Sequence, residues 1–311
     1  MAPRRGGSGG IGSSVGSGIQ SCKDHDAFST TPSIVIMAFV AFYFLVFLSL
    51  TWNVLRRKRD SPVGWVPLAL SIVFMFIGVT VFLVIQPVYE CGAMSTMDYN
   101  SSSIAIDWLL GAASLFLVAT LMVPICKIVT QGSKIVGILG GIYVAFLTIL
   151  WVASLAISTK LSVDGSSDYY YGFRSDSLRI ALNGLRIACG LFMVLGVLLS
   201  GLVIIVQIIR KSHLRKGITP VVFILLLGSA LAFTLCDFGT YLNNRYSHSR
   251  TVASALVGFF LYYLFFAVAS LSATIVISSP RVSAERSFPS HIPPPPTNYG
   301  PQYQFVPQNV R

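Results

Sequence analysis

The sequence has few charged residues, and none of its long apolar stretches contains a histidine. Only 11% of the 311 residues are charged, whereas an ordinary soluble domain has about a quarter. The shortage of charge excludes a soluble enzyme and a disordered chain. Membrane metalloenzymes need imidazole at the metal, and all four histidines lie outside the apolar stretches: His25, His213, His248 and His291. We therefore expect no enzyme activity, no metal site and no cofactor.

Seven long apolar stretches are present instead, and 54% of all residues are hydrophobic. A bilayer core about 30 Å thick is crossed by about 20 apolar residues in a helix. Membrane β-strands would alternate polar and apolar residues, which these stretches do not. The sequence predicts an all-α polytopic membrane protein, a seven-transmembrane-helix bundle with spans at residues 33–55, 63–87, 104–125, 135–159, 181–209, 218–242 and 252–277.

The basic residues predict how this bundle is oriented. Lys and Arg concentrate in loops that stay in the cytoplasm. Four of them occupy 56–59, after the first predicted span, and none occurs in the next loop, 88–103. We expect the N-terminus outside and the C-terminus in the cytoplasm, in a plasma membrane or endomembrane. The net charge of +11 is then mostly an insertion signal that could also hold anionic lipid headgroups, and it predicts no nucleic-acid partner.

Two tails flank the predicted transmembrane domain, residues 33–277. Residues 1–32 are rich in Gly and Ser and are expected to be a disordered extracellular or lumenal tail. Residues 278–311 contain the proline run 293–296 and are expected to be a disordered, Pro-rich cytoplasmic tail. This tail could dock on a partner as a polyproline II segment, or it could be a solvated low-complexity segment.

Two covalent features are predicted on the outer side. Cys22 and Cys91 both fall there and could form a disulfide bond. Asn100 begins an Asn-Ser-Ser glycosylation sequon close to the third predicted span. The other three cysteines lie in or at the ends of spans and are expected to act as small apolar residues: Cys126, Cys189 and Cys236.

Three ionisable residues fall inside predicted spans: Asp107, Arg186 and Asp237. Such residues are costly in a membrane and usually face the interior of the bundle. All three lie near the outer ends of their spans. We expect Arg186 to pair with Asp107, with Asp237 or with both, because two acids and one base are unstable when left bare at low dielectric.

Other polar residues extend this cluster. Asn183 and Arg186 share one face of the fifth span, Asp237 and Tyr241 share one face of the sixth, and Gln86 ends the second span on the same side. The set predicts an outward-facing ligand site made of Asp107, Arg186, Asp237, Asn183, Tyr241 and Gln86. A salt bridge between helices that only fixes their packing is the alternative.

Small residues spaced four apart occur in two predicted spans. Gly137 and Gly141 form a GxxxG pair at the start of the fourth span, and Gly196 and Ser200 form a similar pair in the fifth. Such pairs permit close contact between helices, within one chain or between two copies.

The predicted topology resembles that of seven-helix receptors and rhodopsins, and the resemblance is limited to topology. A retinal protein needs a lysine in its last span, and 252–277 contains none. Rhodopsin-like receptors usually carry an acid–Arg–Tyr motif at the inner end of the third span, where this sequence has residues 124–127, Pro-Ile-Cys-Lys. The sequence therefore assigns no receptor family.

The leading functional hypothesis is a receptor-like sensor. It would bind a small or peptidic ligand at the outer polar site and signal to a cytoplasmic partner through the basic third inner loop, 210–217, and the Pro-rich tail. A small-molecule or lipid transporter is one alternative. A non-catalytic structural or accessory membrane protein is the other.

Overall fold

The structure, a computed structural model, describes residues 31–56, 62–130, 132–167, 176–210, 219–246 and 252–279. Within these ranges the chain is almost entirely helical and contains no strand. The long helices are α1 (Thr31–Arg56), α2 (Pro62–Glu90), α3 (Thr96–Thr120), α4 (Lys134–Ser167), α5 (Asp176–Arg210), α6 (Thr219–Tyr246) and α7 (Val252–Ser278).

Seven spans in the described chain are long and apolar enough to cross a membrane, which confirms the predicted all-α, seven-helix fold. Several helices continue beyond the predicted spans. Helix α3 begins at Thr96 instead of residue 104, because Ser95 Oγ caps it by accepting a hydrogen bond from the Asp98 N–H at 3.1 Å. Apolar composition marks the part of a helix within the membrane, whereas capping decides where the helix begins.

The third span is interrupted by a π-helical turn, Leu121–Ile125, and ends with one α-helical turn, Cys126–Val129. The π turn contains Pro124. Proline lacks a backbone N–H, and its ring clashes with the carbonyl four residues earlier, here that of Thr120. The widened turn accommodates the proline without ending the span.

The helices form a closed ring in chain order, because each contacts the next and α7 contacts α1. The third span, including its π turn, also contacts α5 and α7 and lies at the centre of the ring. In its most apolar part 67% of the residues are buried, against 11% for α4. Helix α4 therefore presents most of its surface to the surroundings.

Aromatic side chains from α1, α6 and α7 fill much of the core. Phe266 lies 5.7 Å from Phe47 and 5.3 Å from Phe233, measured between ring centroids, and all three are fully buried. Tyr43 is also buried, and its hydroxyl donates a hydrogen bond to the Phe260 carbonyl at 3.0 Å. These contacts link the first, sixth and seventh spans through a core without charged side chains.

Helix α4 approaches the π turn closely at Gly140. A Cβ atom added there would lie 2.7 Å from the Met122 carbonyl oxygen, so only glycine fits without displacing backbone. The predicted pair Gly137 and Gly141 makes no such close contact within this chain. Nothing lies within 4 Å of a Cβ added at Gly141, and only Lys127 Cδ, at 3.9 Å, approaches a Cβ added at Gly137. The close helix contact is therefore one residue away from the position that the GxxxG spacing indicated.

Candidate functional site

A partly open cavity of ≈ 260 Å³ lies among α3, α4, α5, α6 and α7. It occupies the end of the bundle at which α1 begins. At this end Ser33, near the start of α1, donates a hydrogen bond to Glu90, at the end of α2. We call this space the polar cavity. Its lining includes Asp107, Gly111, Ser114, Trp151, Ser154, Arg186, Asp237, Phe238, Tyr241 and Tyr262.

Arg186 joins three helices at the wall of the polar cavity. Its Nη2 lies 3.8 Å from Asp107 Oδ2 on α3 and donates a hydrogen bond to Ser158 Oγ on α4 at 3.0 Å. The Arg186 side chain is 33% exposed and that of Asp107 is 57% exposed. This ion pair is accessible from the cavity and is not sealed inside the bundle.

Asp237 faces the same cavity from α6. Its residue is exposed, and within the described part of the chain no hydrogen bond or ion pair reaches its carboxylate. The polar cavity therefore contains two carboxylates and one guanidinium, and the guanidinium is paired with Asp107. A carboxylate without an ion-pair partner at the wall of a cavity is available to a positively charged group, with which it would form a charge-assisted hydrogen bond.

Tyr241 and Asn183 support Arg186 from α6 and α5. The Tyr241 hydroxyl donates a hydrogen bond to Asn183 Oδ1 at 2.9 Å. The Arg186 guanidinium lies over the Tyr241 ring, 5.9 Å from its centroid, within the range of a cation–π contact. Tyr241 lines the polar cavity. Asn183 is not among the lining residues, and it holds the tyrosine through this hydrogen bond.

Gln86 belongs to a different group of residues, although the sequence placed it in the ligand site. Its Nε2 donates to Glu90 Oε1 at 3.0 Å, and Tyr99 donates to its Oε1 at 2.9 Å. Burial raises the pKa of Tyr99, and nearby Tyr89 and Glu90 raise it further. Gln86 ties α2 to the beginning of α3, and it does not line the polar cavity.

Several lining residues carried no signal in the sequence. Trp151 on α4 packs against Gly111 on α3, where it occupies the space that a Cβ atom would need. Ser114 Oγ donates to the Leu110 carbonyl at 2.9 Å and lies 3.4 Å from the Tyr262 hydroxyl. These residues are ordinary members of apolar spans, and only the packing of the helices brings them to the charged cluster.

A second cavity of ≈ 350 Å³ adjoins the first and shares Leu110, Asp237 and Tyr262 with it. We call it the apolar cavity, because Asp237 is the only charged residue among the described residues that line it. Its walls come from α1, α2, α3, α6 and α7, with the further residues Ile36, Phe82, Thr240, Ala255, Leu256, Gly258, Phe259 and Tyr263.

The structure describes only some of the residues that belong to the predicted disulfide bond and glycosylation sequon. Cys91 is disulfide-bonded, whereas Cys126, Cys189 and Cys236 are free. Cys22 lies outside the described residues, so its pairing with Cys91 stays a prediction. The side chain of Asn100 also lies outside the described part, as do both tails beyond residues 31–279 and most of the third inner loop.

The arrangement is suited to binding a small molecule. The two adjoining cavities offer charged, hydroxyl and aromatic groups on rigid helices, as small-molecule sites between helices commonly do. In the described ranges no group of three or more His, Cys, Asp or Glu side chains could hold a metal ion.

Comparison of the chain with protein-family models, with curated proteins and with solved structures found no match.

Proposed function

We propose that this integral membrane protein is a receptor-like sensor that binds a small molecule in the polar cavity and acts by binding, without catalysis. The observation that carries the proposal is the Asp237 carboxylate, which has no ion-pair partner among the described residues, beside the Asp107–Arg186 pair in a cavity confined to one end of the bundle. A purely structural ion pair would have no use for a second, unpaired carboxylate and an adjoining space.

The distribution of charge supports an opening toward the outside. Arg56, Lys127, Lys134 and Arg210 lie at helix ends on the side opposite the cavity. Basic residues near span ends are enriched on the cytoplasmic side of a membrane. The polar cavity then faces the exterior or a lumen.

The packing beyond the cavity favours a sensor over a transporter. Among the described residues, no charged side chain is buried, and the buried polar groups are serines and threonines. Phe233 is fully buried, and its ring lies 4.8 Å from that of Tyr262, measured between centroids, so the aromatic core packs directly against a lining residue of the cavity. A permeation path would need polar groups through the whole thickness of the membrane.

The third span provides a physical connection from the cavity to the other side. It carries Asp107 and Ser114 at the cavity and the π turn, Leu121–Ile125, further along the same helix. The π turn contacts α5 and α7, and such turns are frequent at functional sites. We propose that ligand binding shifts this span and that the basic loop 210–217 and the Pro-rich tail pass the change to a cytoplasmic partner.

Cysteine labelling in intact cells tests the outward opening. Asp237 is replaced by cysteine in a chain whose free cysteines 126, 189 and 236 are alanine, and a membrane-impermeant maleimide is added outside. We expect labelling of Cys at 237 without permeabilisation. Labelling only after permeabilisation would contradict the proposal. Asp107→Cys, at another wall of the cavity where the native side chain is 57% exposed, provides a second reporter if the first variant is poorly expressed.

A further inference from the structure

The two cavities together form a site of mixed character whose halves meet at Asp237. The polar cavity adds the Asp107–Arg186 pair on one side of this carboxylate. The apolar cavity extends from its other side between α1, α2 and α7, where Phe82, Leu256 and Phe259 contribute to the walls. A molecule that filled both would have one polar end and one apolar end.

The charged side chains around the two cavities indicate whether the polar end of such a molecule is positive or negative. Arg186 already has Asp107 at 3.8 Å and Ser158 at 3.0 Å, so its positive charge is largely engaged. The Asp237 carboxylate has no such partner among the described residues. The free charge at the junction of the cavities is therefore negative, and it attracts a cation.

The surrounding rings favour an organic cation over a metal ion. Tyr262 and Phe259 line the apolar cavity next to Asp237, and an ammonium group is attracted to the face of an aromatic ring. Divalent metal ions instead need several oxygen, nitrogen or sulfur ligands. In the part of the chain that the structure describes, no group of three such acidic, histidine or cysteine side chains exists.

We propose that the ligand is an amphipathic organic amine, with its protonated nitrogen at Asp237 and its apolar body in the apolar cavity. This inference rests on the proposed function, since it names the chemical class of molecule that the polar cavity accepts. The volume of ≈ 350 Å³ lies within the range of small-molecule sites and accommodates a phenylalkyl chain.

Binding of a matched series of probes to the full chain in lipid nanodiscs tests the proposal. The probes are 4-phenylbutylamine, 4-phenylbutan-1-ol of nearly the same shape without the charge, 4-phenylbutanoate with the opposite charge, and butylamine without the ring. Isothermal titration calorimetry gives each Kd, and empty nanodiscs correct for partition into lipid. We expect 4-phenylbutylamine to bind at least about tenfold more tightly than each of the other probes, a difference of about 1.4 kcal/mol.

Two variants assign the two ends of the amine. Asp237→Asn keeps the shape of the side chain and removes its charge, and we expect the Kd of 4-phenylbutylamine to rise at least about tenfold. Ala255→Phe fills part of the apolar cavity and should weaken binding by a similar factor. Ala253→Phe adds the same bulk to an exposed alanine of the same helix that lines neither cavity, and should leave the Kd unchanged.

The results separate this inference from the proposed function. Equal binding of the alcohol or the acid, an unchanged Kd in Asp237→Asn, or no binding of the amine would overturn the assignment of a cationic ligand. External labelling of cysteine at 237 would still support an outward-opening sensor in each of those cases. Absence of that labelling would remove the proposed function itself.

Discussion

Arg186 lies 3.8 Å from Asp107 and leaves Asp237, on the neighbouring wall of the same cavity, without an ion-pair partner in the described chain. This asymmetry favours our proposal of a binding site over a salt bridge that only fixes the packing of the helices. A bridge that only joins helices needs matched charges, because a charge left without its partner inside a protein is destabilising. Here the paired carboxylate of Asp107 is 57% exposed, and the unpaired one lies between two cavities.

The Asp107–Arg186 pair should contribute little to stability. We expect a double-mutant cycle with Asp107→Asn and Arg186→Ala to give a coupling of about 0.5 to 1 kcal/mol, because accessible ion pairs are screened by water. The free energy of unfolding would be measured by SDS titration in mixed micelles. Arg179→Ala, at an exposed residue about two turns earlier on α5, is the control. A coupling of about 3 kcal/mol or more would indicate a sealed structural bridge.

Tyr241→Phe should destabilise the chain by about 1 kcal/mol, since it removes the hydrogen bond that the hydroxyl donates to Asn183 at 2.9 Å. The ring, and with it the contact to Arg186, is retained. The same unfolding measurement on Tyr89→Phe serves as the control, because Tyr89 makes a ring contact with Tyr99 and its hydroxyl has no hydrogen bond among the described residues. Equal effects of the two substitutions would contradict the role given to Tyr241.

Two adjacent glycines should respond oppositely to alanine. Gly140→Ala places a Cβ atom 2.7 Å from the Met122 carbonyl, so the π turn or α4 must shift, at a cost of about 1 to 3 kcal/mol. Gly141→Ala meets nothing within 4 Å and should raise the free energy of unfolding by about 0.4 to 1 kcal/mol, because alanine leaves the unfolded chain fewer conformations than glycine. A reversed order would show that the π turn is packed differently.

The disulfide prediction can be checked by counting thiols. We expect three cysteines to be alkylated in the denatured, unreduced protein, namely the free residues 126, 189 and 236, and all five after reduction. Mass spectrometry of unreduced peptides should detect a peptide pair that is cross-linked through Cys22 and Cys91. Alkylation of all five cysteines before reduction would contradict this pairing.

The fold was predictable from the sequence because membrane crossing depends on the length and apolarity of a segment. All seven spans were located in this way, and the helices differ from them mainly at their ends. The π turn at Pro124 and the close approach at Gly140 were not predicted, because both depend on how one helix meets another.

The candidate site was only partly predictable for the same reason. A charge inside an apolar span is visible in the sequence, and Asp107, Arg186 and Asp237 do line one cavity. The choice of Asp107 as the partner of Arg186 depends on the rotation of the helices about their axes. Trp151 and Ser158 look like any other membrane residues until packing places them beside the charges.

The most direct test of a sensor that opens to one side compares the access of reagents from the two sides of the membrane. Asp237→Cys places a cysteine in the polar cavity, and Ser272→Cys places one at a buried position in the opposite half of α7. Each variant would be treated with an impermeant maleimide in right-side-out and in inside-out vesicles. We predict that cysteine at 237 reacts only from the outside and that cysteine at 272 reacts from neither side. Reaction of cysteine at 237 from both sides would contradict this prediction, because a carrier exposes its site alternately to each.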